Sequence, residues 1–267
     1  MAEDTARLTL RDLARLKARG EKIAMLTAYD ATFAAVLDRA GVEVLLVGDT
    51  LGPLVQGQPT TLPVSMDEMV YHCRAVVRGA RRALVMADMP FLSYTDAAAA
   101  LANAGRLLKE AGVQMVKLEC SPAQEGIVAA LAAEGIPVCA HLGLRPQSVH
   151  KLGGYRVQGR DPAAAEALLE AAARLEAAGA DLLLLEAVPA ALAGRVRAQA
   201  GVPVIGIGAG PDCDGQVLVL YDLLGLTERL PRFAKNFLAE ADGVEAAVRA
   251  YVAAVKTGRF PGPEHSY

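Results

Sequence analysis

The sequence contains no tryptophan, few aromatic residues and no excess of positive charge. Aromatic side chains make up 4% of the 267 residues, and the 27 lysines and arginines are outnumbered by 30 aspartates and glutamates. Proteins that hold single-stranded nucleic acid stack bases on aromatic rings. Nucleic acids and anionic membranes both attract a positive protein field. We therefore expect no nucleic acid and no membrane among the partners.

The sequence also lacks paired cysteines and long apolar runs. Its four cysteines, none of them in a CxxC pair, are Cys73, Cys120, Cys139 and Cys213. This spacing argues against a zinc ribbon or a dithiol redox motif and favours buried, reduced thiols. No stretch approaches the ~18 apolar residues of a membrane span, and the charged N-terminal segment has no apolar core of a secretory signal. A cytoplasmic protein is expected.

Apolar segments that resemble strands alternate with segments of helical spacing. The strand-like segments are 22–30, 42–49, 83–90, 114–119, 137–143, 181–189 and 203–210, and we place an eighth at 217–222. Repeated strand-then-helix units predict a parallel sheet with right-handed crossovers. We predict a single domain over 1–267, an α/β protein with a (β/α)8 TIM barrel, a short N-terminal helix and a C-terminal helix and tail. An open doubly wound sheet is the alternative.

Polar residues recur at the carboxyl ends of the predicted strands. They are Asp49, Asp88, Lys117, Glu119, His141 and Glu186. In a parallel barrel all these ends open onto one face, where the active site lies. Each carboxylate taken alone fits a helix cap or a turn. Their recurrence on successive strands favours a common site.

The residue types favour magnesium and a small acid. Carboxylate oxygens without clustered cysteine suit Mg²⁺, with Asp49 and Asp88 as ligands and Glu119 holding a bound water. Lys117 could pair with a substrate carboxylate. A 2-oxo acid chelated to a metal has an acidic neighbouring C–H, so an enolate is tolerated. Glu186, on a separate strand, could act as the base, because a dry site raises the pKa of a carboxyl group.

Several motifs together resemble one enzyme family. They include LTAYDATFA, VGDTLGPLVQGQPTTLPV, ADMPF, VKLE, HLGLRPQSVHKLGGYRVQGR, LEAVP, PVIGIGAG, DGQVLVLYDLLG, PRFAKNF and EHSY. In this order, over roughly 20–267, the chain resembles the ketopantoate hydroxymethyltransferases. The resemblance implies a barrel of the phosphoenolpyruvate/pyruvate superfamily that transfers a hydroxymethyl group from 5,10-methylenetetrahydrofolate to 3-methyl-2-oxobutanoate. The implied product, 2-dehydropantoate, leads to pantothenate and coenzyme A. A large homo-oligomer, often a decamer, is also implied.

The resemblance also assigns roles to single residues. The positions that match the family's keto-acid contacts are Asp49, Thr50, Asp88 and Lys117, with His141 lining the same pocket. The positions that match its Mg²⁺ ligands are Asp49, Asp88 and Glu119, and Glu186 matches its proton acceptor. The family's usual VGDS is VGDT here, and Thr50 keeps the hydroxyl and the backbone N–H.

Two other functions use the same residues. A Mg²⁺-dependent C–C lyase of the same superfamily would stabilise a pyruvate enolate from a 2-oxo or hydroxy acid. Those enzymes commonly carry a KKCGH-like loop, which this sequence lacks. A non-catalytic barrel that binds a metabolite would have no need for all the polar groups at the strand ends.

Overall fold

Eight short parallel strands form the centre of the fold. In the computed structural model, which describes residues 6–267, they are β1 Ile23–Thr27, β2 Val44–Val47, β3 Leu84–Asp88, β4 Met115–Glu119, β5 Val138–Gly143, β6 Leu182–Glu186, β7 Val204–Ile207 and β8 Gly215–Leu218. Each strand pairs with the next, and β1 pairs with β8, so the sheet is closed. The predicted (β/α)8 barrel is confirmed, and the open sheet is excluded.

Helices surround the strands. They are α1 Leu10–Ala18, α2 Ala31–Arg39, α3 Leu51–Val55, α4 Met66–Gly79, α5 Ala97–Arg106, α6 Glu125–Ala133, α7 Val149–Leu152, α8 Pro162–Ala177, α9 Ala190–Gln199, α10 Leu220–Leu223 and α11 Val244–Lys256. Side chains at their first turns explain several starts. Asp30, Asp96 and Asp161 each accept a backbone N–H three residues on, and Ser65 forms a capping box with Glu68. Within residues 6–267 no helix is long and apolar enough to cross a membrane.

The eighth strand lies earlier than its prediction. It spans Gly215–Leu218, and the following residues form the single turn of α10 instead of continuing the strand to 222. The run VLVLYD is apolar almost throughout, so its periodicity does not separate a buried strand from a buried helical turn. Two local contacts decide the outcome. A Cβ at Gly215 would lie 2.4 Å from the Ile23 carbonyl oxygen, and the Leu220 N–H donates to Thr27 Oγ1 at 2.9 Å.

The amino end of the barrel is closed by apolar packing and ion pairs. Leu13 of α1 belongs to the same buried cluster as the side chains inside the barrel, including Ile23 and Leu84. Beside it, the buried carboxylate of Asp214 pairs with Lys17 at 2.7 Å and with Arg197 at 2.9 Å. This end is therefore sealed. The carboxyl end is left for the polar side chains that the sequence places there.

Candidate active site

A cavity at the carboxyl end of the barrel collects the predicted residues. Its lining includes Asp49, Thr50, Asp88, Lys117, Glu119, His141 and Glu186. Strand ends β2 to β6 contribute them, and the apolar side chains Leu184, Ile207 and Val217 close the floor and the far side. A larger groove between α8 and α9 contains none of these polar groups. The strand-end pattern therefore identified one shared cavity.

Strand register places acids and bases beside each other. Asp88 of β3 is opposite Lys117 of β4, and Glu119 is opposite His141 of β5. Lys117 Nζ forms an ion pair with Asp88 Oδ1, and the two side chains are only 8% and 4% exposed. Lys117 thus has a carboxylate partner within the protein, in addition to any substrate carboxylate it could bind.

The turn after β2 brings a second carboxylate against the first. The backbone N–H of Asp49 donates to Asp88 Oδ2 at 3.0 Å. Gly48 makes this approach possible, because a Cβ there would lie 2.7 Å from Thr50 Oγ1 and 3.5 Å from Asp88 Oδ2. The Thr50 hydroxyl in turn contacts the hydroxyl of Tyr29 at 2.8 Å. Asp49, Thr50 and Asp88 consequently form one continuous polar wall.

Gln147 is a buried site residue that the strand-end pattern did not identify. It lies in a short 3-10 turn, Pro146–Ser148, four residues beyond the end of β5. Its side chain donates to Asp49 Oδ2 at 2.8 Å, and its backbone N–H donates to Glu119 Oε1 at 2.9 Å. An uncharged residue within a loop carries no periodic signal. The motif HLGLRPQSVHKLGGYRVQGR contains it but gives it no role.

His141 and Glu186 lie beside each other on the neighbouring strands β5 and β6. His141 Nε2 lies 3.3 Å from Glu186 Oε2. Neither ring nitrogen makes a hydrogen bond of normal geometry within residues 6–267. Burial, followed by the Lys117 charge, lowers the pKa of His141 well below its usual range, so the ring is neutral. Burial also raises the pKa of Glu186 to about 7, a value suited to taking and returning a proton near neutrality.

Negative charge exceeds positive charge in this cavity. Burial and then the Asp88 charge raise the pKa of Asp49, and burial and then Asp49 raise the pKa of Glu119 to about 9. Burial alone would lower the pKa of Lys117, but Asp88 and Asp49 outweigh it and raise that pKa. Carboxylates crowded in a dry site around a single lysine are the environment that a divalent cation stabilises.

The donor set fits Mg²⁺ held by two carboxylates. Each Asp88 oxygen already accepts one hydrogen bond, and each keeps a second lone pair, as does the Asp49 oxygen bound by Gln147. No group of three or more histidine, cysteine, aspartate or glutamate side chains in the described part of the chain is arranged to hold a metal ion. Mg²⁺ commonly takes one or two protein carboxylates and fills its shell with water and substrate oxygens. Asp49 and Asp88 could supply that pair.

The cysteines lie outside this chemistry. All four are free and buried. Burial raises the pKa of Cys120 and of Cys213 to about 12, so neither is a thiolate near neutral pH. Their buried positions agree with the inert, reduced thiols that we expected from the sequence.

Comparisons with known proteins agree with the resemblance that the sequence motifs carry. A family model described as ketopantoate hydroxymethyltransferase matches residues 7–263. A protein of Halorhodospira halophila, named 3-methyl-2-oxobutanoate hydroxymethyltransferase, is 59% identical over 260 residues, which cover 97% of this chain and 94% of that protein. A protein of Marinobacter nauticus with the same name is 57% identical over 97% of this chain and 98% of its own length.

Solved structures of lower identity share the fold. Phosphonopyruvate hydrolase in complex with oxalate and Mg²⁺ has a TM-score of 0.60 and 16% identity, covering 79% of this chain and 81% of that one. The 2,3-dimethylmalate lyase, described as a member of the PEP mutase/isocitrate lyase superfamily, has a TM-score of 0.54 and 18% identity, covering 73% and 70%. At such identities these likenesses concern the barrel alone.

Proposed function

Because the chain belongs to the ketopantoate hydroxymethyltransferase family, we propose that it transfers a hydroxymethyl group from 5,10-methylenetetrahydrofolate to 3-methyl-2-oxobutanoate. The product, 2-dehydropantoate, would serve pantothenate and coenzyme A synthesis. One observation in particular supports the proposal. A carboxyl group with a pKa of about 7, Glu186, shares the cavity at the carboxyl end of the barrel with a buried lysine and two carboxylates that fit a divalent cation.

Asp49 and Asp88 would hold Mg²⁺ in this proposal. The bound ion would supply a Lewis acid that withdraws electron density from the 2-oxo group of the substrate. Glu119 lies beside them, held by the Gln147 N–H, and would orient a metal-bound water. Neutralising part of the excess negative charge in this way lowers the energetic cost of the crowded carboxylates.

The keto acid would be held by its carboxylate. Lys117 offers the ammonium group in the cavity, and its buried position strengthens the attraction to an anion. The hydroxyl and backbone N–H of Thr50 offer two further donors, as a serine would. The Thr50 oxygen contacts the Tyr29 hydroxyl at 2.8 Å, and the Thr50 hydrogen is free for the substrate when Tyr29 is the donor of that bond.

Glu186 would remove the C3 proton of the substrate. The electron pair of the broken C–H bond becomes the C2–C3 double bond of an enolate, and Glu186 becomes neutral. C3 then forms a bond to the one-carbon unit of the donor, water supplies the hydroxyl, and the two C–N bonds of that unit break. The two folate nitrogens take up the proton held by Glu186 and the remaining proton of the water, and tetrahydrofolate leaves. His141, 3.3 Å away and neutral, lies beside the Glu186 carboxyl without competing for its proton.

Product formation tests this proposal. Purified protein with Mg²⁺ and both substrates should yield 2-dehydropantoate, and Glu186→Gln should lower kcat by about 10²- to 10⁴-fold. Asp181→Asn is the matched control, because Asp181 precedes the same strand and accepts the Val138 N–H, as an asparagine oxygen also can. Cleavage of a 2-oxo or hydroxy acid without a folate donor would favour the lyase instead.

From the resemblance to the family, we also propose that the protein forms a homo-oligomer, and we expect ten subunits. Sedimentation velocity of the purified protein should give a single species near ten times the monomer mass of 27.9 kDa. A monomer at micromolar concentration would contradict this expectation.

A further inference from the structure

One loop residue connects two of the acids in the cavity. The Gln147 side-chain N–H groups reach Asp49 Oδ2 at 2.8 Å and the Met89 carbonyl oxygen at 3.0 Å. Its backbone N–H reaches Glu119 Oε1 at 2.9 Å and Oε2 at 3.2 Å. Gln147 is 7% exposed, so these bonds are made away from water. The loop after β5 therefore contacts the ends of both β2 and β4.

The orientation of this amide is determined by its neighbours. The Tyr94 hydroxyl donates to Gln147 Oε1 at 2.6 Å. The oxygen must then face Tyr94, and the nitrogen must face Asp49 and the carbonyl of Met89. A flipped amide would place its oxygen against two acceptors. Both N–H groups and the oxygen are engaged, which leaves the side chain one arrangement.

This arrangement has a consequence for Asp49. An amide N–H can only donate, so Gln147 favours the ionised carboxylate and fixes the rotation of the group. The Asp49 oxygens, the Asp88 oxygens and Glu119 then keep their relative positions before any ligand arrives. Sites that are held in place beforehand bind more tightly, since no ordering is needed at the moment of binding.

We propose that Gln147 is a positioning residue, which acts through Asp49 and Glu119 to hold the carboxylates ready for a divalent cation. The proposal rests on the proposed function, because it assumes that these carboxylates bind the ion. Tyr94 supports Gln147 in this role, because the Tyr94 hydroxyl sets the orientation of the amide. Both residues lie outside the set of strand-end groups to which the reaction was assigned.

Three variants and one control separate this role from ordinary packing. Gln147→Ala removes the side-chain donors, and Gln147→Glu keeps the shape but points an acceptor at Asp49. Tyr94→Phe removes one hydroxyl and leaves the amide oxygen without its partner, so the amide is held less firmly. Gln114→Glu is the control, because Gln114 makes similar amide bonds, to the Val85 N–H and the Gly112 carbonyl, at the sealed end of the barrel.

The main measurement is Mn²⁺ binding without substrate, followed by the electron paramagnetic resonance signal of the free ion. From the usual strength of a hydrogen bond to a charged group, we expect Gln147→Ala to lower the affinity for Mn²⁺ by about 10- to 100-fold. Gln147→Glu should lower it at least as much. Tyr94→Phe should lose less, and Gln114→Glu should match the wild type. Steady-state kinetics should show a raised KM for the keto acid in the same order.

Thermal unfolding in EDTA distinguishes the alternatives. If Gln147 positions the carboxylates, the melting temperature of Tyr94→Phe should stay close to that of the wild type while its Mn²⁺ affinity falls. Unchanged Mn²⁺ affinity in folded Gln147→Ala and Tyr94→Phe would overturn the positioning role. A wild-type protein that binds no Mn²⁺ would instead contradict the metal site of the proposed function, and the role of Gln147 with it.

Discussion

Replacing Lys117 by methionine should destabilise the protein strongly while preserving the shape of the side chain. Lys117 and Asp88 form an ion pair in which the side chains are 8% and 4% exposed, and burial separates both from water. Removing one partner of a buried pair leaves an uncompensated charge, which costs about 3–5 kcal/mol. At about 2–4 °C per kcal/mol for a protein of this size, the melting temperature should fall by roughly 6–20 °C.

The assay is thermal unfolding in EDTA, followed by far-ultraviolet circular dichroism. The matched control is Arg195→Met, which breaks the pair with Glu166 at 2.6 Å, where the side chains are 52% and 67% exposed. An exposed pair contributes about 1 kcal/mol or less, so the control should melt within a few degrees of the wild type. The contrast between the two variants measures the effect of burial.

Addition of Mg²⁺ makes the prediction more specific. Without Lys117 the cavity carries one more uncompensated negative charge, so a divalent cation at Asp49 and Asp88 should raise the melting temperature more in the variant than in the wild type. Equal stability of Lys117→Met and wild type in EDTA would refute the reasoning, because Asp88 would then need no buried partner. An Mg²⁺ effect of the same size in both proteins would contradict the placement of the cation beside Asp88.

Three further predictions concern the base, the substrate wall and the sealed end of the barrel. With the pKa of Glu186 near 7, C3 proton exchange should rise about tenfold per pH unit below that value and level above it, because only the ionised carboxyl accepts a proton; a pH series of exchange rates measures this. Thr50→Val removes the hydroxyl beside Tyr29 and should raise the KM for the keto acid roughly tenfold with less change in kcat, as steady-state kinetics would show. Asp214→Asn breaks two ion pairs at the sealed end and should cost about 1–3 kcal/mol in urea unfolding with kcat unchanged, because the charges left on Lys17 and Arg197 are partly solvated. A pH-independent exchange rate, an unchanged KM or an unchanged unfolding midpoint would contradict the respective prediction.

The barrel and most of the cavity could be predicted from the sequence because strands β2 to β6 carry polar residues at or next to their carboxyl ends. Strands buried on both faces read as continuous apolar runs, and a charged residue that ends such a run is conspicuous. Lys117 and Glu119 are two residues apart, so the alternation of a strand places both on the inner face, where the structure has them. The closed parallel topology then makes separate strand ends neighbours.

What the sequence did not predict depends on contacts between distant segments. The ion pair of Lys117 with Asp88 follows from the register of β3 on β4, which no local pattern encodes. Gln147 acts through a short loop turn without periodicity. The end of β8 is set by the hydroxyl of Thr27, which lies 193 residues earlier in the chain than its partner Leu220. Such features depend on packing between segments that are distant in the sequence.

In the proposed reaction, this cavity removes the C3 proton of a 2-oxo acid with the help of a divalent cation. The most direct test mixes purified protein, Mg²⁺ and 3-methyl-2-oxobutanoate in D₂O, without a folate donor, and follows the C3 proton by nuclear magnetic resonance. We expect the C3 proton signal of the substrate to be lost only when Mg²⁺ is present, and we expect it to persist in Glu186→Gln. Absence of exchange both without and with 5,10-methylenetetrahydrofolate would contradict the proposed reaction.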